Sequence, residues 1–346
     1  MRRGLRWWIV LLAVPLVLLL ADTLYWWIAV RNLERGYAAW EAYGRAAGWS
    51  VQHGAPVHGG WPLAATLAVP GLSLARGNSD APERLAWSAD RLLLRVELAW
   101  PRELGVAVDG RQRLRLPGTV EVPYSADRFH LELPMHGGDW PDFAALAASN
   151  LRADLHQTGN AGIQSLQLRL ETAPAAQSGE PALTFALEAG EIRLPAGLAR
   201  PLGPRVGKLE LEGALNGPVP VGRTPAEQAA AWRDGGGSIE IRRFAVAWGP
   251  LDLSATATLA LDDQLQPMGA GKVRLVGYAE TLDALAAHGA ISRSAATVAK
   301  AVLSLMANSP DDGSPPEVDD VPLKLEFRTL SMRQVPLVRL PELDWP

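Results

Sequence analysis

The amino-acid sequence predicts a mainly β protein with a few helices (α+β class). It expects a long antiparallel sheet, curved into a groove or closed into a sandwich, behind a single N-terminal transmembrane helix. Three observations carry this. Apolar residues fall on every second position over long stretches: in residues 251–261 they are Leu251, Leu253, Ala255, Ala257, Leu259 and Leu261, with Asp252, Ser254, Thr256 and Thr258 between them. A period of two places one set on each face of an extended strand. The 33 glycines and 27 prolines among 346 residues exceed the usual share and favour turns over long helices. Finally, residues 7–21 are uninterrupted apolar, and after Asp22-Thr23 apolar sequence resumes to Val30.

As a helix, the 24 residues from Trp7 to Val30 span roughly 36 Å, enough for a bilayer core. Arg2, Arg3 and Arg6 precede the run, so the positive-inside rule keeps the N-terminus cytoplasmic and sends the body across. Trp7-Trp8 and Tyr25-Trp26-Trp27 stand at its ends as aromatic belts do. A cleaved signal peptide is the alternative; against it, no small-x-small site closes the run, which continues past the usual length. The expected organisation is an anchor over residues 1–30, then a first half of a β-rich body over 31–203. A second half follows over 204–346, with helices at 224–233 and 279–306. Residues 1–30 carry three arginines and Asp22, so of the net charge of −4 the body holds −6. An acidic body with singly scattered arginines does not suit a nucleic acid. Cysteine is absent, which excludes disulfides, thiolate metal sites and cysteine nucleophiles.

Taken in order, residues 31–48 read as a helix, with Leu33, Tyr37, Trp40 and Tyr43 at three- and four-residue steps and Gly48 as the stop. Short extended pieces follow to residue 77. Residues 91–100 alternate through Leu92, Leu94, Val96, Leu98 and Trp100, and 106–116 read as a hairpin about Asp109-Gly110. Strands at 119–124 and 128–133 precede a short helix at 139–148. Strands at 163–171, 183–194 and 206–215 come next, the last with Leu209 and Leu211 on one face. Thr224, Pro225 and Glu227 spell a capped helix start, and Gly235-Gly236-Gly237 its end. The long hairpin turns at Asp262-Asp263-Gln264 and returns through Val273 and Leu275. Two helical pieces about Gly289 and an acidic loop at 310–320 lead to a last strand over 321–332, with Leu323 and Leu325 facing one way. A segment at 335–340 closes the chain.

No motif names a reaction, and the expectation is a non-enzymatic protein with no cofactor. Gly235-Gly236-Gly237 lacks the Lys-Ser/Thr of a phosphate loop, and no GxSxG elbow occurs. His130 and His136 with Asp139 are the one local cluster of metal-ligand types, too loosely spaced for a site. The acid pairs Asp262-Asp263, Asp311-Asp312 and Asp319-Asp320 fall in expected turns, where solvated carboxylates belong. The thirteen tryptophans outnumber tyrosine and phenylalanine, and Trp87, Trp100 and Trp248 are expected in strands.

What remains is the apolar sheet face, for which Leu92, Leu94, Val96, Leu209, Leu211, Leu251, Leu253, Leu259, Leu261, Leu323 and Leu325 are the candidate residues. Lined that way, a groove can hold an acyl chain, each buried CH₂ yielding about 0.8 kcal/mol. A protein-filled β core is the plain alternative. The expected partners are a membrane, through the single span, and a phospholipid or an envelope protein.

Trp40, Gly48-Trp49 and Gly60-Trp61-Pro62-Leu63, then Trp232, Gly235-Gly236 and Trp248-Gly249-Pro250-Leu251, and lastly Pro336-Leu337 with Leu340-Pro341 form a set of short structural motifs. By these the sequence resembles the bacterial family catalogued as domain of unknown function 2125. The layout is more distantly similar to AsmA-like envelope proteins, in which one N-terminal anchor carries a periplasmic β-sheet with a hydrophobic concave face. That resemblance implies a bacterial inner-membrane protein with a periplasmic body and a part in lipid passage or envelope maintenance. It supplies no catalytic residues.

Overall fold

The computed structural model describes residues 2–77, 85–135, 141–197, 201–219, 222, 224–308, 315–332 and 335–345, with the backbone alone for residues 2–13. The chain forms two compact units, residues 1–137 and 138–346.

In the first unit, α1 (Arg2–Ala46) is one continuous helix, long and apolar enough near its start to cross a membrane. The expected anchor and the helix after it are thus a single element. It ends where Gly48 takes φ +85°, a left-handed value that glycine adopts without steric cost. Seven strands follow: β1 (Trp49–Gln52), β2 (Val57–Gly59), β3 (Ala64–Arg76), β4 (Leu85–Glu97), β5 (Glu103–Arg115), β6 (Val122–Ser125) and β7 (Arg128–Pro134). Among the described residues the pairings within this unit are antiparallel. β4 lies along one side of β3, and β2 and β1 share its other side; β5 pairs with β4, and β6 and β7 pair with β5.

The helix crosses from one environment to another partway along. Leu16 to Leu20 are exposed, whereas Val30, Leu33 and Tyr37 are buried on the sheet. Their spacing of three to four residues makes one stripe, which covers a core of Leu67, Val69, Leu72, Leu92, Leu94 and Val96. Leu67 and Val69 have no exposed surface, and each such side chain contributes about 1.5–3 kcal/mol by burial. Polar contacts flank the stripe: His58 Nε2 meets Glu34 at 2.7 Å, and His53 Nε2 meets Glu41 at 3.0 Å. Inside it the Tyr37 hydroxyl is buried with no protein partner, while its ring meets the His53 ring edge-on at 5.3 Å.

Asp109-Gly110 makes no hairpin. β5 runs straight through, and the register with β4 slips so that Asp90 alone faces Gly110 and Arg111. This is a β-bulge: Gly110 takes φ +82°, and Asp90 Oδ2 accepts from the Arg111 amide at 2.8 Å. A turn dipeptide serves a bulge equally well, because both need one positive φ. β4 also stops at Glu97, so Trp100 lies in the β4–β5 turn and is two-thirds exposed.

The second unit is a meander in which every strand pairs antiparallel with its neighbour in sequence. It comprises β8 (Phe143–Asp154), β9 (Asn160–Thr172), β10 (Pro181–Arg193), β11 (Arg205–Asn216), β12 (Ser238–Trp248), β13 (Leu251–Leu261), β14 (Pro267–Val276), β15 (Glu317–Glu326), β16 (Thr329–Met332) and β17 (Val335–Arg339). Among the described residues three α-helices interrupt it: α2 (Pro225–Asp234) between β11 and β12, and α3 (Tyr278–Ala287) with α4 (Arg293–Met306) between β14 and β15. The α2 start is a capping box, with Thr224 Oγ1 accepting from the Glu227 amide at 3.2 Å. At Asp262 the carboxylate accepts from the amides of Gln264 and Gln266 and closes the β13–β14 turn.

Three expectations fail here. The helix expected at 139–148 is strand β8 from Phe143 on, while residues 139 and 140 lie outside the described residues. Its alanines favour a helix, but in-register pairing with β9 from Phe143 to Asp154 overrides that weak preference. The single strand expected over 321–332 is a hairpin, since Phe327 and Arg328 both take positive φ and turn β15 into β16. The acidic loop expected to run to residue 320 gives way to β15 at Glu317, so Asp319 and Asp320 lie in a strand; residues 309–314 lie outside the described residues.

Two stability measurements on the full chain check these assignments. Tyr37→Phe removes a buried, unbonded hydroxyl and is expected to raise unfolding free energy by about 1 kcal/mol, read as a higher thermal midpoint. Gly110→Ala places a Cβ 2.7 Å from that of Asp90 at a left-handed φ, and is expected to cost ~1–3 kcal/mol.

Candidate functional site

Residues directly opposite one another in an antiparallel pair project to the same face, so register decides what each face of the second unit is made of. One row runs Leu146, Leu168, Leu187, Leu211, Phe244, Ala255, Val273, Val321, from β8 to β15. The next row runs Ala148, Leu166, Ala189, Leu209, Val246, Leu253, Leu275, Val318. No polar side chain interrupts either across eight strands.

This face is covered unequally. At β13–β15, α3 and α4 lie on it and enclose a small core of Val273, Tyr278, Leu303, Val318 and Val321, against which Leu253 and Leu323 pack. Leu325 is also buried. On β8–β11 none of the leucines is fully buried; Leu146, Leu166, Leu168, Leu187, Leu209 and Leu211 are half-buried, while Ala148 and Ala189 of the same rows are buried. Leu251, Leu259 and Leu261 on β13 are half-buried as well. Leu92, Leu94 and Val96 lie elsewhere, on β4 within the closed core beneath α1. The structure therefore places Leu209, Leu211, Leu251, Leu253, Leu259, Leu261, Leu323 and Leu325 on β11, β13 and β15 of the second unit, while the β4 trio belongs to the first.

Sequence reasoning missed the β8–β10 share of the face. The signal was present in β9, where Leu166, Leu168 and Leu170 alternate, and hidden in β8, where alanine richness suggested a helix. Gly213 shapes the surface between Phe185 and Ile241: a Cβ there would stand 2.8 Å from the Phe185 ring, so only glycine lets that ring lie against the strand.

The opposite face is ionic. Glu210 meets Lys208 at 2.5 Å and Arg243 at 3.0 Å; Arg242 meets Glu240 at 3.2 Å; Lys272 meets Asp320 at 3.1 Å; Arg274 meets Glu317 and, at 3.2 Å, Asp319. An open depression of about 680 Å³ lies among Glu212, Arg242, Arg243, Lys272, Arg274 and Asp319. Desolvation, with Glu317 close by, raises the Asp319 carboxyl above the ordinary range. Cations and carboxylates alternate and pair there, as on a solvated surface.

Of the other candidates, His130 lies on β7 with Nε2 3.4 Å from Glu132, and His136 and Asp139 lie outside the described residues, as do Asp311 and Asp312. Among the described residues no group of three or more His, Cys, Asp or Glu is placed to hold a metal ion. Trp87 donates to Tyr124 Oη at 2.7 Å and Trp248 to the Gly203 carbonyl at 2.8 Å, so both are fixed in the framework.

Gly213→Val is expected to push Phe185 off the sheet and lower stability by ~1–3 kcal/mol, measured by thermal unfolding. Neither the comparison with curated proteins nor that with solved structures gives a match. The family described as "Uncharacterized protein conserved in bacteria (DUF2125)" matches residues 26–341, nearly the whole body and the end of the apolar helix, and the chain belongs to that family.

Proposed function

We propose that this chain is a non-enzymatic protein of the bacterial envelope, anchored in the inner membrane by α1, whose periplasmic body holds the acyl chain of a phospholipid on the apolar face of β8–β12. One observation carries the reading: apolar rows continue across the sheet, lie under α3 and α4 with Val273, Val318 and Val321 buried at one end, and at the other have leucines that are only half-buried. A face that served packing alone would be closed along its length, as the first unit's core is beneath α1. An acyl chain laid along the rows buries its methylenes at about 0.8 kcal/mol each, so ten of them supply about 8 kcal/mol. The ionic far face stays wetted. The resemblance in layout to AsmA-like envelope proteins points the same way, as does the arginine-flanked start of α1.

The test uses the full chain in bacterial cells, with a photo-reactive phenylalanine analogue at Leu168 or Leu211 and, as a control, at Arg169 on the other face. After irradiation and purification, mass spectrometry is expected to find phospholipid adducts at the leucine positions at ten or more times the Arg169 yield. Protein adducts alone would replace this reading with that of a docking scaffold. No adduct at either leucine would mark the face as plain structural core.

A further inference from the structure

The exposed apolar side chains of the first unit are not scattered. The indole N–H of Trp26, in α1, donates to the carbonyl oxygen of Gly59 at 3.1 Å, which fixes the end of β2 against the helix at that level. The turn from β2 to β3 follows directly and carries Trp61 and Leu63, which are 47% and 74% exposed. The Leu98 amide donates to the Leu63 carbonyl at 3.1 Å and brings the β4–β5 turn alongside, with Trp100 67% exposed. The Met135 amide donates to the Arg102 carbonyl at 2.8 Å and places Met135, 41% exposed, on the same rim. Four large apolar side chains from three chain segments thus share the one end of the sheet that touches Trp26.

That level on α1 has a meaning of its own. At about 1.5 Å per residue, Trp7 and Trp26 stand roughly 29 Å apart along the helix, close to the thickness of a bilayer's hydrocarbon core. Tryptophan pairs at both ends of that interval mark the two interfaces. The helix then carries Arg31, whose guanidinium lies 4.6 Å from the Trp27 ring centroid, and from Val30 onward it is held by the body. Asp22 lies one turn before Trp26, so an outer interface there leaves its carboxylate near headgroup depth, not at the hydrocarbon centre.

The geometry points to a second membrane contact: the rim formed by Trp61, Leu63, Trp100 and Met135 enters the interfacial layer of the leaflet that α1 leaves, and seats the first unit on the bilayer. The occupant is lipid, because the rim adjoins the span and is fixed to it at the interface level. Arg102, lying 5.2 Å over the Trp100 ring, suits the same depth, where an aromatic ring and a cation serve phosphate and glycerol together. This inference rests on reading α1 as a retained anchor; it does not need the acyl chain on β8–β12.

The chain has no cysteine, so single labels are clean. Leu63→Cys, Trp100→Cys, Val120→Cys and Leu18→Cys are each made in the full chain, given an environment-sensitive fluorophore, and reconstituted in phosphatidylethanolamine–phosphatidylglycerol vesicles. Val120 is the control: it is apolar and 66% exposed, but follows β5 at the far end of the sheet. Labels at residues 63 and 100 are expected to emit to the blue of the one at 120. Spin-labelled lipid should quench them at least threefold more strongly than it quenches the label at 120. Quenching equal to that at 120 overturns the proposal, and protection from both lipid and aqueous quenchers overturns it in favour of a protein partner. The label at Leu18 separates the two premises: lipid contact at 18 without contact at 63 and 100 sinks the rim alone, and water at 18 sinks the anchor with it.

Discussion

Register between neighbouring strands is the constraint on which the rest of the molecule depends. Because side chains alternate with a period of two, a slip of one residue in any pairing would carry a whole strand's apolar set to the wet side. From Leu146 to Val321 no such slip occurs, although the pairings of β11 with β12, β12 with β13 and β14 with β15 each contain an irregularity. The bulges absorb single extra residues and return each strand to phase. Alternation in sequence becomes a continuous oily surface only through that correction.

The two units treat such a surface differently. In the first, a long helix lies on it, and Leu67 and Val69 lose all contact with water. In the second, α3 and α4 cover the β13–β15 end, and the leucines of β8–β11 are only half-buried. Leaving apolar area open forfeits stabilisation of about 25 cal/mol per Å². The second unit has the elements to close its face at one end and does not do so at the other, and the lipid reading gives that asymmetry a purpose.

Much of this is legible in the amino-acid sequence. The helix cap at Thr224, the turn at Asp262 and the paired helices about Gly289 were spelled by local chemistry, which acts within a few residues. What could not be read was decided by partners distant in sequence. Residues 143–154 look helical by composition and become a strand because β9 pairs with them. Asp109-Gly110 has the chemistry of a turn, and only its alignment with Asp90 makes it a bulge. The candidate leucines were identified by periodicity, yet periodicity alone cannot say that Leu92, Leu94 and Val96 lie under a helix while Leu209 and Leu211 do not. Covering is a tertiary fact.

The strictly sequential pairing of β8 through β17 bears on how the second unit comes into being. Each strand waits only for the one just made, so most of the loops to be closed are short and contact order stays low for an all-antiparallel sheet, which favours quick folding. A polypeptide emerging from its N-terminal side can therefore add one ribbon at a time, each new strand pairing with the edge left by the one before. The longest pauses in that zippering fall at α2 and at the α3–α4 pair, where a helical detour separates one strand from its successor.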